Sequence, residues 1–267
     1  MWKLRRSVGE SSEVLRLLRD VEPTKFRINL TKLGMLDLNG QFLPVSHIPR
    51  ETLSIIAQGY AYSEWARIAL DVANQYSEGD YFEFGSEGLN TLCNFLVAFH
   101  LNGHDVGKPE VKCFAFDIFG DPRPGMELEE DEKAYFDVYT KGSNYYSEMQ
   151  RKLRDYRIME GRVELVKGFF KDSLNDPFKE RLRREGRRVG FAFLDCNLPS
   201  SYATVLDFLE EFIHPTKSFV YLDEYYQFPQ VANLFDAFCE NVRELYGLKP
   251  RFVRTAGSYG ALFRLME

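Results

Sequence analysis

No stretch of this chain offers about 18 uninterrupted apolar residues, the length a membrane-crossing helix needs. Behind the basic residues of "MWKLRRSVGESSEVLRLLRD" no apolar core segment follows, so export is not expected and a cytoplasmic protein is. The four cysteines, Cys93, Cys113, Cys196 and Cys239, have no CxxC spacing and sit in apolar stretches, where cysteine behaves as a small hydrophobe. A reduced compartment fits them, and a zinc site does not. Dense Lys/Arg blocks are missing apart from "RLRREGRR" at 181–188, and 40 acidic residues against 34 basic ones give a net charge of −6. A nucleic-acid surface is therefore disfavoured, and the short basic cluster reads as a solvated helix end. Internal repeats, low-complexity tracts and the G-x-G-x-x-G fingerprint of nicotinamide binding are absent as well, with Glu83 where the first glycine would stand.

From about residue 80 onward, short apolar runs alternate with amphipathic helix patterns, the mark of a parallel sheet covered on both faces. The runs are "YFEF" (81–84), "VKCFAFD" (111–117), "VELVK" (163–167), "VGFAFLD" (189–195) and "SFVYLD" (218–223). Helical spacing links Tyr202, Val205, Leu206, Leu209, Phe212 and Ile213, and again Val231, Leu234, Phe235, Phe238, Val242 and Leu245. Then "RFVRTA" (251–256) and "YGALFRLM" (259–266) follow one another across Gly257 and Ser258, which signals an antiparallel hairpin. The fold expected is α/β: a doubly wound, mostly parallel seven-stranded sheet closed by a C-terminal hairpin. Residues 1–60 are less regular and read as an N-terminal extension or lid, leaving 61–267, opened by a helix at about 61–77, as the main domain.

Ligands of such sheets gather at the carboxyl ends of the strands. The first strand runs into "EFGSEGLNT", where Glu83, Gly85, Ser86 and Gly88 precede a helix; glycines let a ligand approach backbone, and any tight strand-to-helix turn favours them too. Asp117 ends the second strand, placed either to accept hydrogen bonds from two ribose hydroxyls or to serve as a helix cap or turn residue. Asp195 ends the fourth, and Asp223 with Glu224 ends the fifth. Three carboxylates in a small volume repel one another, so either a pKa rises or a cation sits among them. Oxygen ligands of this kind suit Mg²⁺ or another hard divalent cation.

In order and spacing, "YFEFGSEG", "FAFDIFGDP", "VELVKGFFKDSL", "FAFLDCNLPSSY" and "VYLDEYY" resemble the macrocin O-methyltransferase-like family of class I S-adenosylmethionine-dependent methyltransferases. The resemblance covers roughly residues 60 to 245 and includes Asp117, Phe119 and Pro122. It implies a Rossmann-like fold, with Glu83, Gly85, Ser86 and Gly88 around the methionine part of S-adenosylmethionine and Asp117 on its ribose. Phe169 and Phe170 would flank the adenine, with Phe119 beside the cofactor, and Asp195, Asp223 and Glu224 would hold the divalent ion. The family commonly carries its second glycine one residue later, so the turn here is shorter. It also accounts for "MELEEDEKAYFDVYTKGSNYYSEMQRKLRDY", which a minimal sheet of this class would not need.

The reaction so implied is O-methylation of a small hydroxylated acceptor, a sugar or glycosylated natural product, with no nucleic-acid or membrane partner and the oligomeric state left open. An alcohol must lose its proton to attack a methyl group, and two residues after the strand-end acid the family usually has a second Asp. Here stands Asn197, whose amide cannot take a proton at neutral pH. Asp195 and Asn197 thus form the candidate reacting end. Of the four histidines, His104 and His214 precede strands and His100 ends a helix leading the same way; His47 alone is in a position to fold over the site. A homologue that binds cofactor without transferring a methyl group is the alternative. A nicotinamide oxidoreductase lacks its fingerprint, and "NLPS" only partly echoes the turn of nucleobase N-methyltransferases.

Overall fold

The computed structural model describes residues 43, 47, 64–76, 78–101, 111–121, 128, 130–137, 145–155 and 162–267. The chain divides into two compact units, one of residues 1–74, 88–108 and 151–160, the other of 75–87, 109–150 and 161–267. Apart from 43 and 47, the proposed extension at 1–60 lies outside the described residues, as does Pro122.

In the first unit, helices α1 (Glu64–Ala73) and α2 (Asn90–Leu101) pack on each other. Ile68, Ala69, Val72 and Ala73 of α1 are buried, as are Leu92, Phe95, Leu96 and Phe99 of α2, the three-and-four spacing that makes one apolar face. Phe95 and Phe99, one turn apart, meet at a tilt with ring centroids 4.0 Å from each other. The expected helix over 61–77 is thus seen over 64–73.

The second unit carries the sheet. Its strands are β1 (Asp80–Phe84), β2 (Cys113–Asp117), β3 (Val163–Lys167), β4 (Val189–Leu194), β5 (Lys217–Leu222), β6 (Lys249–Ala256) and β7 (Gly260–Met266), in the order β3-β2-β1-β4-β5-β7-β6. The first five pair in parallel; β7 runs antiparallel to both β5 and β6, as the hairpin signal indicated. Helices α3 (Glu130–Phe136), α4 (Tyr145–Asp155), α5 (Phe170–Ser173), α6 (Asp176–Arg184), α7 (Pro199–Phe212) and α8 (Pro229–Tyr246) complete the described elements.

Alternate residues of the strands build two aromatic rows. Phe82, Phe84, Phe114 and Phe116 share one face, where Phe178 of α6 meets Phe116 edge-on at 5.6 Å and Phe208 of α7 lies 6.0 Å from Phe82. Such fully buried rings each contribute about 1.5–3 kcal/mol by leaving water. Tyr81, Phe191, Phe193 and Tyr221 form the opposite row, with Tyr81 against Phe191 at 5.3 Å and Phe193 stacked on Tyr221 at 4.6 Å. Two members of that second row are tyrosines, so it ends in hydroxyls.

Two helices begin earlier than their apolar spacing shows, because Pro199 and Pro229 open α7 and α8 at positions where a missing N–H costs nothing. The sheet's order reverses between β1 and β4, and this reversal places the crevice at their carboxyl ends. Among the described residues no helix is long and apolar enough to cross a membrane.

Candidate active site

At the reversal the backbones after β1 and β4 nearly touch. Gly85 has φ +90°, and a β-carbon there would lie 1.8 Å from the carbonyl oxygen of Asp195, so only glycine can stand here. The ladder reaches the acids themselves: Asp195 N–H donates to Phe84 O and Asp223 N–H to Leu194 O, each at 2.9 Å. A cleft opens beside this junction. Gly85, Asp117, Gly168 and Asp195 supply its strand-end wall; Tyr135, Phe136, Phe169 and Phe170 supply its rings.

Asp117 does both things its position allows. Its two carboxylate oxygens accept the N–H groups of Phe119 at 2.7 Å and Glu87 at 3.0 Å, which shapes the turn, and the residue also lines the cleft. A carboxylate oxygen can accept more than one hydrogen bond, so shaping the turn does not bar this group from a ribose hydroxyl. Phe119, by contrast, is fully buried and packs on Tyr146 with centroids 5.7 Å apart. Its position in the structure is that of a packing residue.

Glu83 is buried behind the cleft wall rather than lining it, and the Tyr81 hydroxyl donates to its carboxylate. Burial, together with the charges of Asp195 and Asp117, pushes this acid up to about 8 against the Tyr81 hydrogen bond. Ser86 is also buried, its hydroxyl turned to the Glu83 carbonyl at 3.0 Å. Gly88 falls in the first unit, as does His47, an exposed residue.

Phe169 and Phe170 both reach the cleft, and each is also anchored in packing. Phe169 meets Phe136 edge-on at 5.9 Å, while Phe170 meets Phe84 at 5.7 Å. Phe136 and its neighbour Tyr135 were not singled out from sequence. They come from α3, inside the acid-rich segment that no periodicity ties to the sheet. Two side chains hold that helix in place: Asp131 accepts the Ser200 hydroxyl of α7 at 2.7 Å, and the buried Glu132 pairs with Lys171 at 3.0 Å. An aromatic pair within a run of charge is the one signal that pointed to them.

The late carboxylates assemble as expected. One carboxylate oxygen from each of Asp195, Asp223 and Glu224 lies within 4.8 Å of the others, an all-oxygen donor set of the kind that suits a hard divalent cation. Hydroxyls that were not anticipated hold two of them. The Tyr221 hydroxyl donates to Asp223 at 2.7 Å, and the buried Tyr202 hydroxyl donates to Glu224. Burial raises the Asp223 carboxyl against the Tyr221 bond. Burial also raises Glu224, to about 7 with the help of the Asp223 charge, opposed by donors from Tyr202 and the Asn197 backbone.

Asn197 lines the cleft, is exposed, and has φ +62°. The N–H of Leu198 reaches back to Cys196 O at 2.8 Å, closing a three-residue turn around it. Asparagine is among the few residues with a side chain that accept this left-handed conformation readily. The residue therefore has a backbone reason to be present beside any chemical one. His214 sits at the far end of the sheet, its N–H on Val189 O at the start of β4, while His104 and the side chain of His100 lie outside the described residues.

Likeness to solved structures agrees with this arrangement. The O-methyltransferase NovP aligns with 96% of this chain and 100% of its own at 18% identity and a TM-score of 0.56. The calicheamicin methyltransferase CalS11 aligns with 98% of this chain and 94% of its own at 17% identity and a TM-score of 0.52. At such identity the likeness shows the fold, and no curated protein sequence matches the chain. The model of the macrocin O-methyltransferase family, TylF, matches residues 64–247, most of the chain, and the chain belongs to that family.

Proposed function

We propose that this member of an O-methyltransferase family uses S-adenosylmethionine and a divalent cation to methylate a hydroxyl of a small metabolite, a sugar or glycosylated natural product. One observation carries the reading: Asp195 belongs both to the ring-lined cleft and to the acid cluster. A nucleoside-bearing molecule in the cleft and a cation on the cluster would therefore meet at a single side chain. When bound, the cofactor supplies an electrophilic methyl group and the cation lowers the pKa of a neighbouring acceptor hydroxyl.

The chain's own residues do the rest. Asp117 would accept the ribose hydroxyls, Phe169 and Phe170 would flank the adenine, and Gly85 would let the backbone approach the methionine part. Glu83, buried behind the cleft wall and raised to about 8, is a carboxyl whose ionisation an ammonium or a sulfonium in the cleft would favour. Asp195, Asp223 and Glu224 would hold Mg²⁺ or a similar ion. Asn197 can orient a hydroxyl but cannot take its proton at neutral pH. That proton needs another acceptor, and His47 is the histidine the sequence leaves as a candidate. Asn197 also favours a second reading, a homologue that binds the cofactor and transfers nothing.

Calorimetric titration with S-adenosylmethionine and S-adenosylhomocysteine, with and without Mg²⁺, tests the first step. We expect dissociation constants on the order of 1 μM, weakened more than about tenfold in Asp117→Ala, the loss of one charged hydrogen-bonding group. Absence of binding under every condition overturns both readings. Binding without turnover on any hydroxylated acceptor, in wild type and in Asn197→Asp, selects the second.

A further inference from the structure

We propose that Tyr202 and Tyr221 are positioning residues for the cation, and that Gly260 is a glycine to give Tyr221 room to act as one. The inference rests on the reading of Asp195, Asp223 and Glu224 as cation ligands and adds residues outside that set. Two strands and a helix contribute to it, and none of these residues carries a charge.

Each tyrosine holds one acid by one oxygen. Tyr221 and Asp223 are two residues apart at the end of β5, so both side chains leave the same face of the sheet, and the hydroxyl reaches Oδ1 at 2.7 Å. Ala256 O lies farther from that hydroxyl, at 3.4 Å, and a charged acceptor wins the single phenolic proton. Tyr202, from α7, has Leu194 O at 3.0 Å as a competing acceptor, but the charged Oε2 of Glu224 is the stronger one for its single proton, and the phenolic oxygen accepts the Glu224 backbone N–H at 3.3 Å. Both hydroxyls thus fix one carboxylate oxygen each and leave the rotamer of the acid with little freedom. The second oxygen is then the one presented to a cation, without a conformational search at binding.

Gly260 opens β7, and no left-handed backbone requires a glycine there. The requirement is space. A β-carbon at 260 would lie 2.0 Å from the Tyr221 hydroxyl oxygen, 2.6 Å from its ring carbon Cζ and 2.6 Å from Ala256 O. Any side chain would push the Tyr221 ring away and with it the hydrogen bond to Asp223. The C-terminal hairpin, remote in sequence from every proposed ligand, therefore sets the geometry of one of them.

Outer partners of metal ligands commonly change affinity by about 10–100-fold when removed. The experiment measures Mn²⁺ affinity by electron paramagnetic resonance and S-adenosylhomocysteine affinity by calorimetry for wild type, Tyr202→Phe, Tyr221→Phe and Gly260→Ala, with melting temperatures of the metal-free proteins. Phenylalanine removes only the hydroxyl, so the two tyrosine variants remain informative even where Gly260→Ala folds poorly. The expected result is Mn²⁺ binding weakened at least about tenfold in both tyrosine variants, with S-adenosylhomocysteine affinity within about twofold of wild type. Mn²⁺ affinity within about twofold of wild type overturns the proposal while leaving the cation reading intact. A parallel fall in both affinities and in melting temperature overturns it too, because the hydroxyls then only hold the fold. A wild type that binds no Mn²⁺ removes the cation reading itself.

Discussion

The two ends of the parallel sheet treat buried acid in opposite ways. At the amino end, Asp80 opens β1 almost fully buried, and it is answered by a cation: the Arg187 guanidinium lies 3.1 Å away, with the Lys112 backbone N–H at 2.8 Å. Burial still raises Asp80 to about 6 against these partners. At the carboxyl end, Glu83 and Glu224 are answered by the hydroxyls of Tyr81 and Tyr202. A hydroxyl satisfies hydrogen bonding without supplying a counter-charge, so burial raises Glu83 to about 8 and Glu224 to about 7. One end carries its own cation and serves stability; the other leaves raised carboxyls whose ionisation a cationic ligand would favour, which stability alone would not select.

Arg187→Met should break that contrast most strongly. It leaves Asp80 buried without its guanidinium and should lower stability by about 3 kcal/mol, the lower end for a broken buried pair because Arg187 keeps some exposure. Denaturant melts measure it, and cofactor affinity should not move. Asp223→Ala should do the reverse, weakening Mg²⁺ binding more than about a hundredfold, beyond the effect of an outer partner, while the metal-free melting temperature holds or rises. A falling metal-free melting temperature would make this acid a structural residue like Asp80.

A smaller effect concerns pH. Glu83 sits at about 8 when folded and near 4.5 when unfolded, so between those values the native state holds a proton that the unfolded state has released. Stability therefore falls as pH rises from about 5 to 8. Thermal melts of metal-free protein across that range should show the decline, and Glu83→Gln should make it shallower, leaving the shares of Asp80 and Glu224. The smallest difference is expected at Asn197. Asn197→Ala should cost about 1 kcal/mol, because alanine lacks the short polar side chain by which asparagine tolerates the left-handed region, and Asn197→Gly close to nothing. Equal stability of the two variants would remove the backbone reason for asparagine.

The strand-end acids were legible because two independent patterns coincide on them: a continuous apolar run gives a buried parallel strand, and its carboxyl end faces the crevice. Asp117, Asp195 and Asp223 could be placed before any coordinates. Neither the hairpin nor the helices of 199–212 and 229–246 needed more than period and punctuation. What sequence did not reveal depends on residues meeting across the fold. Tyr202 looks like one apolar position of a helix, yet its hydroxyl is turned to Glu224, 22 residues later. Gly260 looks like ordinary hairpin punctuation, and only the position of Tyr221 explains it. Tyr135 and Phe136 sit in a segment whose charge hides them. Asn197 could be recognised as a departure from its family, but the turn that favours it is a backbone property that no residue type announces.

The placement of β7 between β5 and β6 bears on how the protein is made. On the ribosome β6 emerges before β7, yet the edge of β5 belongs to the strand that comes later. Until residue 266 is out, that edge presents unpaired N–H and C=O groups to any strand nearby, the nascent β6 included. The three-residue turn at 257–259 limits this interval, since a tight hairpin closes within microseconds of its second strand's appearance. Translation thus supplies Asp195, Asp223 and Glu224 before the strand that gives Tyr221 its place, so over the last stretch of synthesis the growing chain carries all three carboxylates while the scaffold that orients Asp223 is still unbuilt.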